Sequence, residues 1–166
     1  MLTNRSRLVQ YMTESGIEAV VSWMPANVRY LSGYWCWLAP LFRECMILPG
    51  GSGELAQRNV ALFPVRGEPA LIVEPLWAVN AGDTWVEDVR IAGGARYMPG
   101  AIPRNESAFA TRIAEMVRSG DWPAYPFVAL AQALADRGLE RARIGVDLEG
   151  ANDGDRAALG DRFIAG

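Results

Sequence analysis

The chain of 166 residues contains neither histidine nor lysine, and only two cysteines, Cys36 and Cys45. Without histidine the chain can form no Ser-His-Asp triad, no Cys-His pair and no imidazole metal site. Two cysteines are too few for a disulfide framework, and the eight residues between them do not match the spacing of a zinc ligand pair. We therefore expect both cysteines to be free thiols.

The chain also has no excess of positive charge and no long apolar run. All sixteen basic residues are arginines, and nineteen acidic residues bring the net charge to −3. This balance offers no basic surface for nucleic acid. The first residues resemble no signal peptide, and no stretch is long and apolar enough to cross a membrane. We expect a cytoplasmic protein that binds neither nucleic acid nor a membrane.

Hydrophobic residues make up 51% of the sequence, and their order predicts alternating helices and strands. A helix capped by Thr3 or Asn4, with Leu8, Tyr11 and Met12 on its buried face, ends at Gly16. The predicted elements that follow in the first half are a central strand Ile17–Trp23, a short helix from Pro25 to Gly33, a hairpin of Val60–Val65 and Pro69–Val73, a short helix Leu76–Asn80 and a strand Trp85–Ile91. The second half is predicted to contain a helix Asn105–Gly120, a helix at 124–137, a strand Arg143–Leu148 and a final helix from Asp153 or Asp155. The helix at 124–137 would direct Phe127, Leu130, Ala131 and Leu134 inward, and the final helix would contain Leu159 and Phe163. This alternation predicts a three-layer α/β domain with a mixed central sheet.

Several acidic residues lie near predicted strand ends, and they allow two interpretations. The residues are Glu74, Asp83, Glu87, Asp88, Asp147 and Glu149. Three or four converging carboxylates could hold Mg²⁺, as in metal-dependent nucleases. Nothing in the spacing requires that convergence, so we favour capping, turn or solvated roles.

The segment from Tyr34 to Arg43 is the least ordinary part of the sequence, because Trp35, Trp37 and Phe42 are many large rings for a loop. These rings could pack over the sheet or in a subunit interface. Alternatively, Arg43 and a neighbouring ring could line a pocket for a small carboxylate ligand, since arginine binds carboxylates through two parallel hydrogen bonds.

Three blocks of the sequence resemble the N-terminal domain of the creatinase, prolidase and Xaa-Pro aminopeptidase family. The first block, Asn27-Val-Arg-Tyr-Leu-Ser-Gly-Tyr34, directly follows the first buried strand. The hairpin around Gly67-Glu68-Pro69 and the block Ile144-Gly-Val-Asp147 then occur in the family's order. The connection from Trp35 to Arg58 is longer than the family's usual one. The resemblance covers nearly the whole chain and implies a ribonuclease H-like topology without that enzyme's activity.

The resemblance further implies that residues 1–166 are an accessory domain, and that a pita-bread catalytic domain would follow Gly166. A pair of divalent metal ions would belong to that second domain, and no cofactor to this chain. Family members of this kind form homodimers in which this domain reaches the partner subunit's active site. Creatinase-like members place an aromatic residue and an arginine there, to which Phe42 and Arg43 correspond. We predict that these residues, with the neighbouring Trp37, contact a small peptide or amide substrate.

An alternative from another class stays open. The chain could be a stand-alone module that binds a protein or a ligand and has lost the catalytic domain. Exposed aromatic residues around Trp35 and Trp37 would suit that role.

Overall fold

The structure, a computed structural model, describes residues 3–35, 59–93, 108–147 and 163–165. Its elements in chain order are helix α1 (Arg5–Glu14), strand β1 (Ala19–Ser22), helix α2 (Pro25–Ser32), strands β2 (Val60–Pro64) and β3 (Ala70–Val73), a 3₁₀ helix (Pro75–Asp83), strand β4 (Asp88–Ile91), helices α3 (Ala108–Ser119) and α4 (Pro126–Ala135), and strands β5 (Ile144–Val146) and β6 (Phe163–Ala165).

The six strands form one mixed sheet in the order β4-β3-β2-β1-β5-β6. Strand β2 is antiparallel to both β1 and β3, whereas the β3–β4, β1–β5 and β5–β6 pairs are parallel. Strand β2 therefore runs against all the others. The predicted three-layer α/β fold with a mixed sheet and ribonuclease H-like topology is confirmed, and β1 is central as predicted.

Each face of the sheet carries its own hydrophobic core. One core joins the sheet to α1, α2, the 3₁₀ helix and α3, with Phe63, Leu71 and Val28 among its buried side chains. The other core joins the opposite face to α4 through Leu62, Ile72 and Leu130. Consecutive residues of β2 thus serve opposite cores. This explains why the strands read as continuous apolar runs rather than alternating ones.

The elements around β1 begin and end at the predicted signals. The Asn4 side chain caps α1 by accepting a hydrogen bond from the Arg7 N–H at 3.1 Å. Pro25 opens α2, and Gly33 closes it in the left-handed conformation, with φ of 76°. The prediction that Tyr11 is buried is wrong: it is 50% exposed, and Arg7 donates a hydrogen bond to its hydroxyl.

Two arginines hold the hairpin turn from opposite layers. Arg5 of α1 donates to the Gly67 carbonyl at 2.8 Å. Arg137, just after α4, donates to the Glu68 carbonyl at 2.7 Å and to the Pro69 carbonyl at 3.2 Å. A proline within a strand indicates either an edge strand or the end of a strand. Pro64 is the last residue of β2, which is an inner strand.

Two details of the C-terminal half differ from the sequence prediction. Ala131 was expected to face inward but is exposed. Helix α4 instead buries Ala129, Leu130, Ala133 and Leu134, so its buried face is rotated about the helix axis from the predicted one. Phe163 lies in β6, paired with Ile144, and not in a helix. Pairing with β5 outweighs the local helical pattern there. Asn105, Asp153, Asp155 and Leu159 lie outside the described residues.

Within the described ranges, no helix has the length and hydrophobicity needed to cross a bilayer.

Candidate functional site

The carboxylate of Asp147 joins the end of β5 to the start of α2. Strands β1 and β5 are parallel, with Val21 opposite Val146, so the residues that follow both strands lie at one edge of the sheet. Asp147 accepts a hydrogen bond from the Ser22 hydroxyl and from the Trp23 N–H at 3.1 Å. It also accepts from the Met24 N–H at 3.3 Å and from the Asn27 side-chain amide at 3.1 Å. We call these residues the Asp147 clasp.

The clasp replaces a local helix cap. Met24 occupies the N-cap position of α2 and makes no side-chain cap hydrogen bond. Instead, a carboxylate from a distant strand accepts from the N–H groups of Trp23 and Met24, at the end of the helix where negative charge is favoured. Two of the three blocks that carry the family resemblance therefore meet at Asp147 and Asn27. Asp147 thus has a structural role at the start of a helix and not a metal-binding one among the described residues.

The C-terminal end of α2 is held against the 3₁₀ helix and the residues that follow it. The Thr84 hydroxyl donates to the Ser32 carbonyl at 2.5 Å, and the Tyr34 hydroxyl donates to the Trp77 carbonyl at 3.2 Å. The Trp85 ring lies directly over Gly33: a Cβ atom on Gly33 would be 2.7 Å from Trp85 Cδ1. Gly33 is thus required both for its positive φ and for this close approach.

An exposed tryptophan lies where the predicted substrate-binding segment begins. Trp35 is 38% exposed, and the Arg29 guanidinium carbon is 4.5 Å from its ring centroid. Tyr30, on the same helix as Arg29, is 41% exposed. Arg29 and Trp35 form what we call the Trp35 patch. A cation over an indole face is an attractive arrangement that holds the ring in place.

The predicted substrate-binding residues Trp37, Phe42 and Arg43 lie outside the described residues, as do Cys36 and Cys45. Their roles stay predictions. At the other end of that segment, the buried Asn59 leads into β2, and its side-chain oxygen accepts a hydrogen bond from the Glu74 N–H at 3.2 Å.

A second charged group surrounds Asp88, at the side of the sheet where the parallel strands begin. The Asp88 carboxylate contacts Arg90 at 2.8 Å and Arg137 at 2.7 Å, and Arg90 also contacts Asp136 at 2.7 Å. Burial opposes ionisation of Asp88, but the hydrogen bonds and charges of both arginines outweigh it, so the pKa of Asp88 lies below its ordinary value. Burial likewise opposes the charge on Arg90, but its two carboxylate partners raise the pKa of Arg90.

The lowered pKa of Asp88 gives a testable pH dependence. Ionised Asp88 stabilises the folded chain above the unfolded-state pKa near 3.8, and this contribution is lost as the pH falls through the folded-state pKa. Urea titrations should show Asp88→Asn destabilised by about 2 kcal/mol at neutral pH, since a charged hydrogen-bonded partner is lost. The difference in the free energy of unfolding between this variant and wild type should decrease steadily as the pH falls through the acid range. A gap that is independent of pH would contradict the assignment.

The acids do not converge into one site. Asp147 follows the end of β5, whereas Asp88 begins β4, and these strands point the same way in the sheet. The two carboxylates therefore lie on opposite sides of the sheet, one where the strands end and the other where they begin. Within the parts of the chain that the structure describes, no three potential ligands among histidine, cysteine, aspartate and glutamate are grouped to hold a metal ion. Glu149 lies outside those parts.

The chain belongs to the creatinase/prolidase N-terminal domain family, whose sequence model matches residues 5–152. The predicted family is therefore confirmed. A search among curated proteins found no match.

Solved structures with the same fold come from peptidases. The chain is similar to the creatinase/prolidase N-terminal domain of an X-Pro dipeptidase from Streptococcus pyogenes, with 12% identity, a TM-score of 0.56, and 98% of this chain and 92% of that one covered. It is also similar to a dipeptidase from Pyrococcus horikoshii OT3, with 10% identity, a TM-score of 0.57, and 98% and 33% covered. An X-Pro aminopeptidase from Thermotoga maritima MSB8 gives 18% identity, a TM-score of 0.54, and 98% and 33% covered. At these identities the likeness shows the fold. The chain spans about one third of the latter two proteins.

Sequence reasoning missed both the clasp and the role of Trp85. A signal for the clasp was present, because Ser22 is the last residue of one buried strand, Asp147 directly follows another, and parallel neighbouring strands end on the same side of a sheet. No sequence signal indicated Trp85, whose position over Gly33 depends on how the 3₁₀ helix returns along the sheet.

Proposed function

We propose that this chain is the non-catalytic N-terminal domain of a dimeric hydrolase that cleaves Xaa-Pro peptides or a related small amide. In this proposal the domain supports dimerisation, and Trp37, Phe42 and Arg43 shape the substrate site of the partner subunit. Membership of the creatinase/prolidase N-terminal domain family is the observation that carries it. A divalent metal pair would belong to the catalytic domain of the parent enzyme. A cytoplasmic location is part of the same proposal, in keeping with only two cysteines.

The contacts of Asp147 and Asp88 are in keeping with an accessory role. Asp147 is occupied in the clasp, and Asp88 is paired with two arginines. Neither is placed as a general base, because each carboxylate is committed to structural donors. The Trp35 patch, by contrast, presents exposed aromatic surface immediately before the residues that we assign to the substrate site. Aromatic residues and arginine are the types most enriched in protein interfaces.

Mixed dimers of the parent enzyme test the role of Arg43. An Arg43→Ala enzyme should lose about tenfold or more in kcat/KM on Xaa-Pro dipeptides, as expected for a lost charged contact to substrate. A dimer that combines one Arg43→Ala subunit with one subunit inactivated in its catalytic domain should regain activity. The inactivated subunit still donates its intact Arg43 to the working site of its partner.

The matched control is Arg66→Ala, which removes an arginine from the hairpin turn at the other edge of the sheet and should leave kcat/KM unchanged. The proposal fails if Arg43→Ala has normal kcat/KM for every accepted substrate, or if the mixed dimers show no complementation. The 166-residue chain alone should show no turnover with Mn²⁺, Co²⁺ or Zn²⁺.

A stand-alone binding module is the second candidate, and the Trp35 patch is the observation that favours it. In that case the native gene product would have the 18.1 kDa mass of this chain, and the patch would bind a partner protein. The intact mass of the product in its source cells distinguishes the two candidates. A product of about twice this mass or more supports the hydrolase.

A further inference from the structure

Arg29 of the Trp35 patch differs from the other arginines that contact aromatic rings. Among the described residues, four arginines have their guanidinium carbon between 4.5 and 5.7 Å from an aromatic ring centroid. The other three each donate a hydrogen bond to an oxygen atom of the chain: Arg5 at 2.8 Å, Arg7 at 2.9 Å and Arg112 at 2.6 Å. The Arg29 guanidinium makes no hydrogen bond or ion pair with any described residue. The Trp35 ring therefore holds this guanidinium while its N–H groups stay available.

Both members of the Trp35 patch are accessible, and the positive charge of Arg29 is not compensated locally. Arg29 is exposed in the last turn of α2, and Trp35 is also exposed. In the sequence, Arg29 is the only charged residue between Glu18 and Arg43, so the segment that contains α2 supplies no carboxylate. By contrast, the guanidinium of Arg90 is paired with two acids.

The chemistry of the Arg29 side chain fits a carboxylate ligand. A guanidinium presents parallel N–H groups that match the two oxygens of a carboxylate. Contact with the Trp35 ring restricts the long side chain before a ligand arrives, so less conformational entropy is lost on binding. One cation balances the single negative charge of a carboxylate, whereas a phosphate group carries nearly two negative charges.

We propose that the Trp35 patch binds a carboxylate group. The Arg29 guanidinium donates to both carboxylate oxygens, and the exposed part of the Trp35 ring contacts the carbon atoms beside the carboxylate. A small free acid and an acidic side chain of another protein supply the same group, and the experiment below distinguishes them. This inference does not depend on the proposed function.

An NMR titration of the ¹⁵N-labelled 166-residue chain tests the proposal. N-acetyl-alanine supplies a terminal carboxylate, N-acetyl-Ala-Glu-Ala-amide supplies an acidic side chain, and the neutral N-acetyl-alaninamide is the reference for both. The Trp35 indole N–H and the Arg29 Nε–H resonances should shift and saturate with at least one of the two acids, and the acid that saturates them identifies the source of the carboxylate. The neutral amide should bind about tenfold more weakly or worse, the loss expected for a charge-assisted hydrogen bond.

Three variants assign the binding to the Trp35 patch. Arg29→Gln should weaken binding of the acid by about tenfold or more, because the charged donor is lost. Trp35→Leu should weaken it by about twofold to fivefold, because no ring then holds Arg29 in place. Arg118→Gln is the matched control and should bind as wild type, since Arg118 is an exposed arginine of α3 that contacts no aromatic ring among the described residues. The spectrum of each variant reports whether the chain is folded.

Three results would overturn the proposal. One is that neither acid shifts the Trp35 and Arg29 resonances. Another is that the neutral amide binds as tightly as the acids, or that inorganic phosphate binds more tightly than either acid. The third is that a folded Arg29→Gln chain binds as wild type, or that Arg118→Gln loses as much affinity as Arg29→Gln.

Discussion

Asp147→Ala should lower the free energy of unfolding by about 3 kcal/mol, because it removes the shared acceptor of the clasp. The helix start loses its cap, which alone is worth about 1 kcal/mol. The Ser22 hydroxyl, on a residue that is 1% exposed, is also left buried without its acceptor. Urea denaturation followed by circular dichroism measures the loss.

Two controls separate the clasp from a general effect of removing a charge. Asp121→Ala removes an exposed carboxylate from the turn after α3 and should change stability by less than about 0.5 kcal/mol. A double-mutant cycle of Asp147→Ala with Ser22→Ala should give a coupling energy of about 1 kcal/mol. The clasp is not a stabilising unit if Asp147→Ala behaves like Asp121→Ala.

Gly33→Ala should also cost about 3 kcal/mol, from two independent sources. A left-handed backbone disfavours any residue with a Cβ atom by about 1–2 kcal/mol. The new methyl group would lie 2.7 Å from Trp85 Cδ1, and overpacking of this kind costs about 1–3 kcal/mol. The thermal or urea midpoint of the variant measures the combined loss of stability.

Gly138→Ala is the matched control, because Gly138 follows α4 with φ of 66° and a Cβ atom added there would meet nothing within 4 Å beyond its own chain neighbours. It carries the backbone strain without the clash and should cost about 1–2 kcal/mol. The difference between the two variants isolates the contact with Trp85. Equal losses at the two positions would mean that the Trp85 ring moves aside without penalty.

The fold could be predicted from the sequence where local signals and burial agree. The caps at Asn4 and Gly33, the proline that opens α2 and the hairpin around Gly67 are each local, and all were confirmed. Predictions failed where a partner distant in sequence, or a contact on the surface, determines the secondary structure or the side-chain orientation. Phe163 pairs with β5 instead of continuing a helix, and Tyr11 turns outward to Arg7.

The candidate site was less predictable than the fold, for a physical reason. Clasp formation depends on two strand ends that are far apart in sequence, and no local pattern encodes their meeting. The family resemblance pointed to Asn27 and Asp147 as parts of separate blocks, but only the parallel pairing of β1 and β5 shows why both are needed. Phe42 and Arg43 were assigned from that resemblance and Trp37 as a neighbouring ring, and the mixed dimers test Arg43.

The clasp also bears on how the chain folds during synthesis. Asn27 and Asp147 are 120 residues apart in sequence, so the helix start leaves the ribosome long before its cap. At typical rates of about 5–20 residues per second, the interval is on the order of 10 s. During that time β1 lacks its β5 neighbour, and its open edge is exposed to other nascent chains. We therefore expect chaperone dependence of this domain to concentrate in the interval before residue 147 emerges.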